Sequence, residues 1–220
     1  MSLQRDVEDN LWFMLYNIWR LLTVPHIYTF DGAKLRAHLS DRPNKMSPTT
    51  KLSLPDARPY PFTFPPATTA FIIIDMQRDF LDPNGFGSIQ CGNPEIFSSV
   101  RNIVKNVQKA LEVARAMGMQ VIHTREGHRP DLSDLPAAKK LRQISAPHGH
   151  HTMGIGDQGP MGRLLVRGEW GHDIIDELKP YPGEPVIDKP GKGSFWGTGL
   201  HRTLLARGIT HLLFAGVTTE

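Results

Sequence analysis

Runs of apolar residues alternate with segments of helical periodicity over the second two thirds of the chain, and this alternation predicts an α/β fold. Four of the runs are of strand length, and the first is a continuous run of β-branched and aromatic residues, as expected for a strand buried on both faces of a parallel sheet. They lie at residues 69–75, 120–124, 185–188 and 212–215. Each of these runs is therefore predicted to be a strand of one central sheet.

Between the first two runs, apolar residues recur every three or four positions, which predicts one long helix over residues 94–117. Asn93 supplies a cap before it, and Gly118 ends it. Shorter helices are predicted over residues 173–178 and 200–207. A strand, a helix and a second strand in succession form a parallel, right-handed βαβ unit. The pattern thus predicts a three-layer αβα domain with a parallel, Rossmann-like sheet.

A long segment rich in Gly, Pro and His, from residue 125 to about residue 165, is predicted to be a loop that covers a functional site. Its His-rich stretch, residues 148–151, has the composition of a metal site. The stretch is flanked by glycine and has no nearby acid, so it is predicted to be solvated. No metal and no cofactor are expected.

The first part of the chain is patterned differently. Residues 1–45 are predicted to be an N-terminal extension with a short amphipathic helix, because residues 11–22 carry apolar positions at helical spacing. Polar residues and a proline interrupt the apolar run at residues 11–30, so no membrane span is predicted. Residues 46–66 are rich in proline and predict an extended arm or linker, which leaves residues 67–220 as the folded domain.

Composition narrows the classes of function. The net charge of +3 comes from Lys and Arg spread along the 220 residues, without a basic block, so nucleic-acid binding is not indicated. The single cysteine excludes an internal disulfide and fits a reducing compartment, which predicts a cytoplasmic location. A dinucleotide site is disfavoured, because residues 85–87 lack a third glycine at the required spacing.

Polar residues follow three of the predicted strands. Asp75 ends the first strand, residues 125–128 follow the second, and Asp188 and Lys189 end the third. The carboxyl ends of parallel strands share one edge of a sheet, and ligands bind at that edge. Alone, Asp75 is explained as a turn cap and Lys189 as a solvated loop lysine. Together at one edge, an acid and an amine would favour each other's charged forms and could act as a pair.

Three segments resemble the motifs of the isochorismatase-like cysteine hydrolases. Residues 71–80 (FIIIDMQRDF) resemble the opening motif of that family, residues 186–195 (VIDKPGKGSF) its lysine segment, and residues 208–220 the run into its nucleophile. Residues 123–128 (HTREGH) and 165–169 (LVRGE) look most like the branch that hydrolyses biuret, triuret and ureidoacrylate. The resemblance implies a hydrolase of amide or ureide C–N bonds in a small carbamoyl compound.

The resemblance also implies a catalytic set of aspartate, lysine and cysteine. Asp75 corresponds to the proton shuttle and Lys189 to the cation that favours the thiolate, with Lys192 as a second choice for the lysine. Backbone N–H groups of Thr218 and of the cysteine would hold the oxyanion, with a cis peptide bond between Val217 and Thr218. The family's cysteine corresponds to a position two residues beyond Glu220.

Other residues of the matching motifs are predicted to line a substrate pocket: Gln77, Phe80, Glu126, His128 and Phe195. Cys91 lies in a predicted Gly-rich loop with no strand-to-helix turn and no adjacent base, so it is interpreted as an ordinary loop thiol.

Two hypotheses stay open for function. In the first, the chain is an amidohydrolase; in the second, it is an inactive, truncated family member that binds a partner or a ligand without turnover. The resemblance implies further strands, so that the isochorismatase-type sheet is expected to be incomplete at the C-terminus. The last predicted strand, residues 212–215, would lack its covering helix, and its open edge predicts association, including homo-oligomers.

Overall fold

The computed structural model describes residues 50–144 and 153–218. The predicted N-terminal helix at residues 11–22 and the His-rich stretch at residues 148–151 lie outside the described residues. No helix in the described ranges is long and apolar enough to cross a bilayer.

The strands are β1 (Leu52–Leu54), β2 (Phe62–Phe64), β3 (Thr69–Ile74), β4 (Gln120–Glu126), β5 (Gln158–Gly159), β6 (Gly162–Arg163), β7 (Val186–Lys189) and β8 (His211–Gly216). The α-helices are α1 (Arg78–Leu81), α2 (Phe86–Cys91), α3 (Pro94–Arg101), α4 (Val104–Ala116), α5 (Ala137–Ile144) and α6 (Leu200–Ala206). Two 3₁₀ helices, Pro66–Thr68 and Asp176–Leu178, complete the described elements.

The central sheet has four parallel strands in the order β7, β4, β3, β8. Alternate side chains of β3 enter two separate cores. Phe71 and Ile73 pack with α4 on one face, whereas Ile72 packs with Leu200 and Leu204 of α6 on the other. The sheet therefore lies between two helical layers, and the predicted α/β fold is confirmed.

The predicted long helix is two helices. At the break between α3 and α4, the N–H groups of Asn102 and Ile103 donate to the carbonyls three residues back, on Ser99 and Val100, at 3.2 and 3.3 Å. Such bonds tighten the last turn into 3₁₀ geometry, and asparagine is a poor residue for a helix interior. The regular spacing of apolar residues hid this break.

The helix predicted over residues 173–178 is also wrong, since only Asp176–Leu178 is helical there, as a single 3₁₀ turn. The preceding backbone bonds instead to the segment after β3. The N–H of Arg78 donates to the Asp173 carbonyl at 3.0 Å, and the N–H of Ile175 donates to the Met76 carbonyl at 3.0 Å. Tertiary backbone pairing thus replaces the helix.

Two stretches expected to be irregular contain regular elements. The predicted loop from residue 125 to residue 165 contains α5 and the short antiparallel hairpin of β5 and β6. The proline-rich arm contains an antiparallel hairpin, in which β1 pairs with β2. Phe64 of that hairpin is buried in the core shared with α4. Neither hairpin joins the central sheet.

Candidate active site

Four polar side chains meet at the carboxyl edge of the sheet, those of Asp75, Thr124, Glu126 and Lys189. The strand register explains why, because Ile74 pairs with Thr124 on one side and with Gly216 on the other, and Glu126 pairs with Lys189. Asp75 follows β3 directly, so it lies between the ends of β4 and β8. The shared edge that was predicted for Asp75 and Lys189 is present.

Asp75 is fully buried and is the centre of the cluster. Its Oδ2 accepts hydrogen bonds from Lys189 Nζ at 2.7 Å and from Thr218 Oγ1 at 2.6 Å. Its Oδ1 accepts one from Thr124 Oγ1 at 2.7 Å. Burial raises the pKa of the Asp75 carboxyl above its usual value, although Lys189 and the two hydroxyl donors oppose the rise. A carboxylate placed in this way can take up a proton and return it.

Lys189 is buried as well, so the alternative of a solvated loop lysine is excluded. Its ammonium group reaches Asp75 Oδ2 at 2.7 Å, Glu126 Oε2 at 3.3 Å and the Gly191 carbonyl at 3.0 Å. These three acceptors match the three donors of an ammonium group and fix its position. Lys192, the second choice for this role, instead lines a neighbouring cavity.

Glu126 and His128 extend the cluster away from Asp75. The carboxylate of Glu126 contacts Lys189 with one oxygen and Lys139, on α5, with the other. Burial alone would raise the pKa of Glu126, but the two ammonium groups outweigh it, so the pKa is lowered. His128 Nε2 lies 3.1 Å from Lys139 Nζ, and burial and this cation lower the pKa of the ring.

Gln77 is not free to bind a substrate, contrary to the prediction. Its side chain is fully buried, and its Nε2 donates to the carbonyls of Glu126 at 2.9 Å and of His172 at 2.8 Å. Its Oε1 accepts from the backbone N–H of Glu126 at 2.7 Å. Gln77 thus has a structural role, because its amide forms hydrogen bonds with backbone groups of segments that are distant in the sequence.

The two predicted aromatic liners lie in different places. Phe80 packs edge-on against Phe86, with 6.4 Å between ring centroids, at the margin of the core. Phe195 is half-exposed and lines a shallow cavity of about 120 Å³ beside Thr218. The lining residues of this cavity are Ile72, Ile74, Lys192, Ser194, Phe195, Leu200, Phe214 and Thr218. Phe195 is therefore beside the cluster, whereas Phe80 belongs to the core margin.

The predicted cis peptide bond between Val217 and Thr218 is absent. Among the described residues the cis bond precedes Pro59, where proline lowers the cost of that isomer. The chain continues the β8 pairing through the N–H of Val217, which donates to the Ile74 carbonyl at 3.1 Å. It then turns at Thr218, which takes a left-handed backbone conformation with φ of 52°.

Cys91 is the last residue of α2, so its predicted place in a loop is wrong, and its Sγ donates to the Asn93 carbonyl at 3.6 Å. It is the one cysteine of the sequence. In the described part of the chain, no group of three or more His, Cys, Asp and Glu side chains could hold a metal ion.

Thr124 and Lys139 were not predicted to belong to the site. Thr124 is the residue of β4 that pairs with Ile74, so the strand register alone could have found it. Lys139 lies on a helix inside the predicted loop of residues 125–165, and no sequence signal connects it with Glu126.

A buried carboxylate and ammonium pair at the carboxyl edge of the parallel sheet gives this α/β protein a candidate active site. Residues 69–220 match the Isochorismatase domain, and the chain belongs to the isochorismatase family of hydrolases.

Curated relatives include the ureidoacrylate amidohydrolases RutB of Caulobacter segnis and Yersinia enterocolitica. The first is 36% identical over 79% of this chain and 72% of the relative, and the second is 32% identical over 75% of this chain and 70% of the relative. The chain therefore spans about seven tenths of the length of these two relatives.

Two solved structures share the fold. An isochorismatase family protein from Desulfovibrio vulgaris is 30% identical, with a TM-score of 0.52, over 69% of this chain and 67% of that protein. A cysteine hydrolase from Pseudomonas syringae is 25% identical, with a TM-score of 0.52, over 80% of this chain and 65% of that protein. The chain thus spans slightly less than two thirds of the second structure.

Proposed function

We propose that this domain is built to hydrolyse the C–N bond of a small amide or ureide, such as biuret or ureidoacrylate. The observation that carries the proposal is the buried contact of 2.7 Å between Lys189 Nζ and Asp75 Oδ2. The similarity to ureidoacrylate amidohydrolases, at 32 to 36% identity, supports the choice of a carbamoyl substrate.

The proposed reaction is thiol-based, as the family resemblance implies. A thiolate, stabilised by the ammonium of Lys189, attacks the carbonyl carbon of the substrate, and backbone N–H groups near Thr218 hold the oxyanion. Asp75, which has taken the thiol proton, returns it to the nitrogen as the C–N bond breaks and ammonia leaves. Water then cleaves the S-acyl intermediate, which is a thiocarbamate when the substrate is a ureide and a thioester when it is an amide, and regenerates the thiol. Burial raises the pKa of Asp75, which favours its protonated form as a donor.

The 220-residue polypeptide is proposed to be inactive when alone. Its single thiol is Cys91 at the end of α2, bonded to the Asn93 carbonyl rather than to Asp75 or Lys189. The same observation favours a second candidate function, in which the domain binds a carbamoyl ligand without turnover.

Ammonia release from ureidoacrylate and biuret tests the proposal. The 220-residue polypeptide is compared with a fusion that continues it with the C-terminal segment of the Caulobacter segnis relative. We expect the fusion to release ammonia and the polypeptide alone to release none. In the fusion, Asp75→Asn and Lys189→Met should each lower the rate by a factor of about 100 or more, because each removes one half of the charged pair.

Three outcomes separate the candidates. Turnover by the polypeptide alone would refute its proposed inactivity. A folded fusion that binds ureidoacrylate in calorimetry but releases no ammonia would support the binding function. A folded fusion that neither binds nor hydrolyses carbamoyl compounds would remove the substrate assignment.

Association and location belong to the same proposal. Among the described residues β8 pairs with β3 alone, and Phe214 on β8 is 52% exposed, so self-association along this edge is proposed. A cytoplasmic location is proposed from the single cysteine.

A further inference from the structure

Charges of alternating sign run from the centre of the site to helix α5. Asp75 Oδ2 lies 2.7 Å from Lys189 Nζ, which lies 3.3 Å from Glu126 Oε2. The other oxygen of Glu126 contacts the ammonium of Lys139. Asp75, Glu126 and Lys189 are less than one tenth exposed, and the side chain of Lys139 is 21% exposed. Lys139 is thus the outermost member of a largely buried row of four charges.

Lys139 balances the charge of this row. With Lys139 the row holds two carboxylates and two ammonium groups, and it is neutral when all four are ionised. Without it, Asp75 and Glu126 would share the single ammonium of Lys189. A buried net negative charge is costly, and a cluster that carries one lowers the cost by binding a proton.

Among the described residues, the ion pairs of Glu126 are those with Lys139 and Lys189. The next residues along the strands, Arg125 and Asp188, pair with each other at 2.7 Å, and Arg125 also pairs with Asp173 at 2.9 Å. Because successive side chains of a strand point to opposite faces, Arg125 lies across the sheet from Glu126. Lys192 is further along the chain and lines the cavity beside Thr218.

His128 holds Lys139 in place from the other side. Its Nε2 lies 3.1 Å from Lys139 Nζ, and its Nδ1 lies 3.3 Å from Asp134 Oδ1. An ammonium has no lone pair, so Nε2 must accept, and the ring is neutral with its proton on Nδ1, directed at Asp134. Asp134 is held in turn by Arg167 Nη2 at 3.1 Å. The position of Lys139 is therefore set by groups on both sides.

We propose that Lys139 is a positioning residue that keeps Asp75 and Glu126 ionised together, so that helix α5 sets the protonation state of the site. Asp75 can accept a thiol proton only when it is ionised, and this catalytic consequence rests on the proposed function. The charge effect itself does not depend on it.

Carbon-13 NMR titration of the side-chain carboxyls tests the inference in the 220-residue chain. In Lys139→Met, the apparent pKa of the coupled pair of carboxyls should rise by about 1 unit or more, because one nearby cation is lost. Lys139→Arg keeps the charge and should restore the wild-type titration. Lys140→Met, changed at the exposed neighbouring position, should leave it unaltered.

A second substitution separates charge from structure. In Glu126→Gln the carboxylate in contact with Lys139 is gone, and adding Lys139→Met leaves Asp75 and Lys189 as a balanced pair, so the Asp75 titration should shift by less than the carboxyl pair does in Lys139→Met alone. If Lys139 had only a structural role, removing Glu126 would not reduce the effect of Lys139→Met on the titration. This pair of variants also decides the question if Lys139→Met alone fails to fold. An unchanged titration in folded Lys139→Met, or an equal shift with and without Glu126, would overturn the inference.

Failure of the inference and failure of the proposed function give different results. If the titration shifts in Lys139→Met but the fusion hydrolyses no carbamoyl compound, the inference stands and the proposed function fails. If the fusion is active and Lys139→Met leaves both the titration and the pH profile of its rate unchanged, the function stands and the inference fails.

Discussion

Two residues at the site have strained backbones, and their side chains bond to each other. Asp75 and Thr218 have φ angles of 51° and 52°, a left-handed conformation that is unfavourable for a β-branched residue such as threonine. Such strain costs about 1 to 3 kcal/mol for each residue and persists only where surrounding contacts impose it. Here the hydrogen bond of 2.6 Å from Thr218 Oγ1 to Asp75 Oδ2 joins the two strained positions. The backbone strain thus lowers the stability of the fold while it fixes the position of the Asp75 carboxylate.

Thr124→Val should lower the free energy of unfolding by about 2 kcal/mol at pH 7. The change removes the buried hydroxyl that donates to Asp75 Oδ1 at 2.7 Å, and hydrogen bonds to charged groups are worth more than neutral ones. Urea unfolding measures the loss. Thr63→Val, which removes an exposed hydroxyl bonded to Ser53 Oγ at 3.3 Å, is the matched control and should stay within about 0.5 kcal/mol of wild type. Equal stability of the two variants would contradict the prediction.

The strands were predictable because burial on both faces leaves a continuous apolar run, as in Thr69–Ile74. The proximity of Asp75 and Lys189 was predictable for a related reason, since parallel strands bring their carboxyl ends together. The break between α3 and α4 at Asn102 was not predictable, because the helical spacing of apolar residues continues through it. The structural role of Gln77 was not predictable either, because its side chain bonds to the backbone of residues about 50 and 95 positions away along the chain. Pairing between distant segments leaves no local pattern.

Gly216→Ala should disrupt the pairing of β8 with β3 and lower the free energy of unfolding by about 3 kcal/mol. A Cβ at this position would lie 2.2 Å from the Ile74 carbonyl oxygen, and the φ angle of 129° already disfavours any other residue. Thermal and urea unfolding measure the effect. Gly193→Ala is the control, because a Cβ there has no neighbour within 4 Å. Wild-type stability in Gly216→Ala would show that β8 can shift without cost.

At the scale of the whole molecule, the interior carries several ionisable groups beside its two apolar cores. His123, His128 and His172 are all buried, two of them on or just after β4 and the third against Gly127. Burial lowers the pKa of all three rings, and the pKa of His172 falls to about 4, with Arg125 as the next cause. The folded domain therefore holds these histidines neutral at pH values where the unfolded chain protonates them.

The free energy of unfolding should consequently fall as the pH drops from about 6.5 toward 4. In this window the unfolded chain binds more protons than the folded domain, so acid favours unfolding, and His172 alone can contribute up to about 3 kcal/mol. Burial raises the pKa of Asp75 and Asp79, which acts in the opposite direction, so comparison of variants isolates the histidine. Urea unfolding at a series of pH values should show a shallower dependence for His172→Gln than for wild type. His201→Gln, changed at an exposed position of α6, should keep the wild-type dependence. If both variants lose stability with acid as steeply as wild type does, His172 is not a source of the acid sensitivity, and the carboxylates bound to Arg and Lys must account for it.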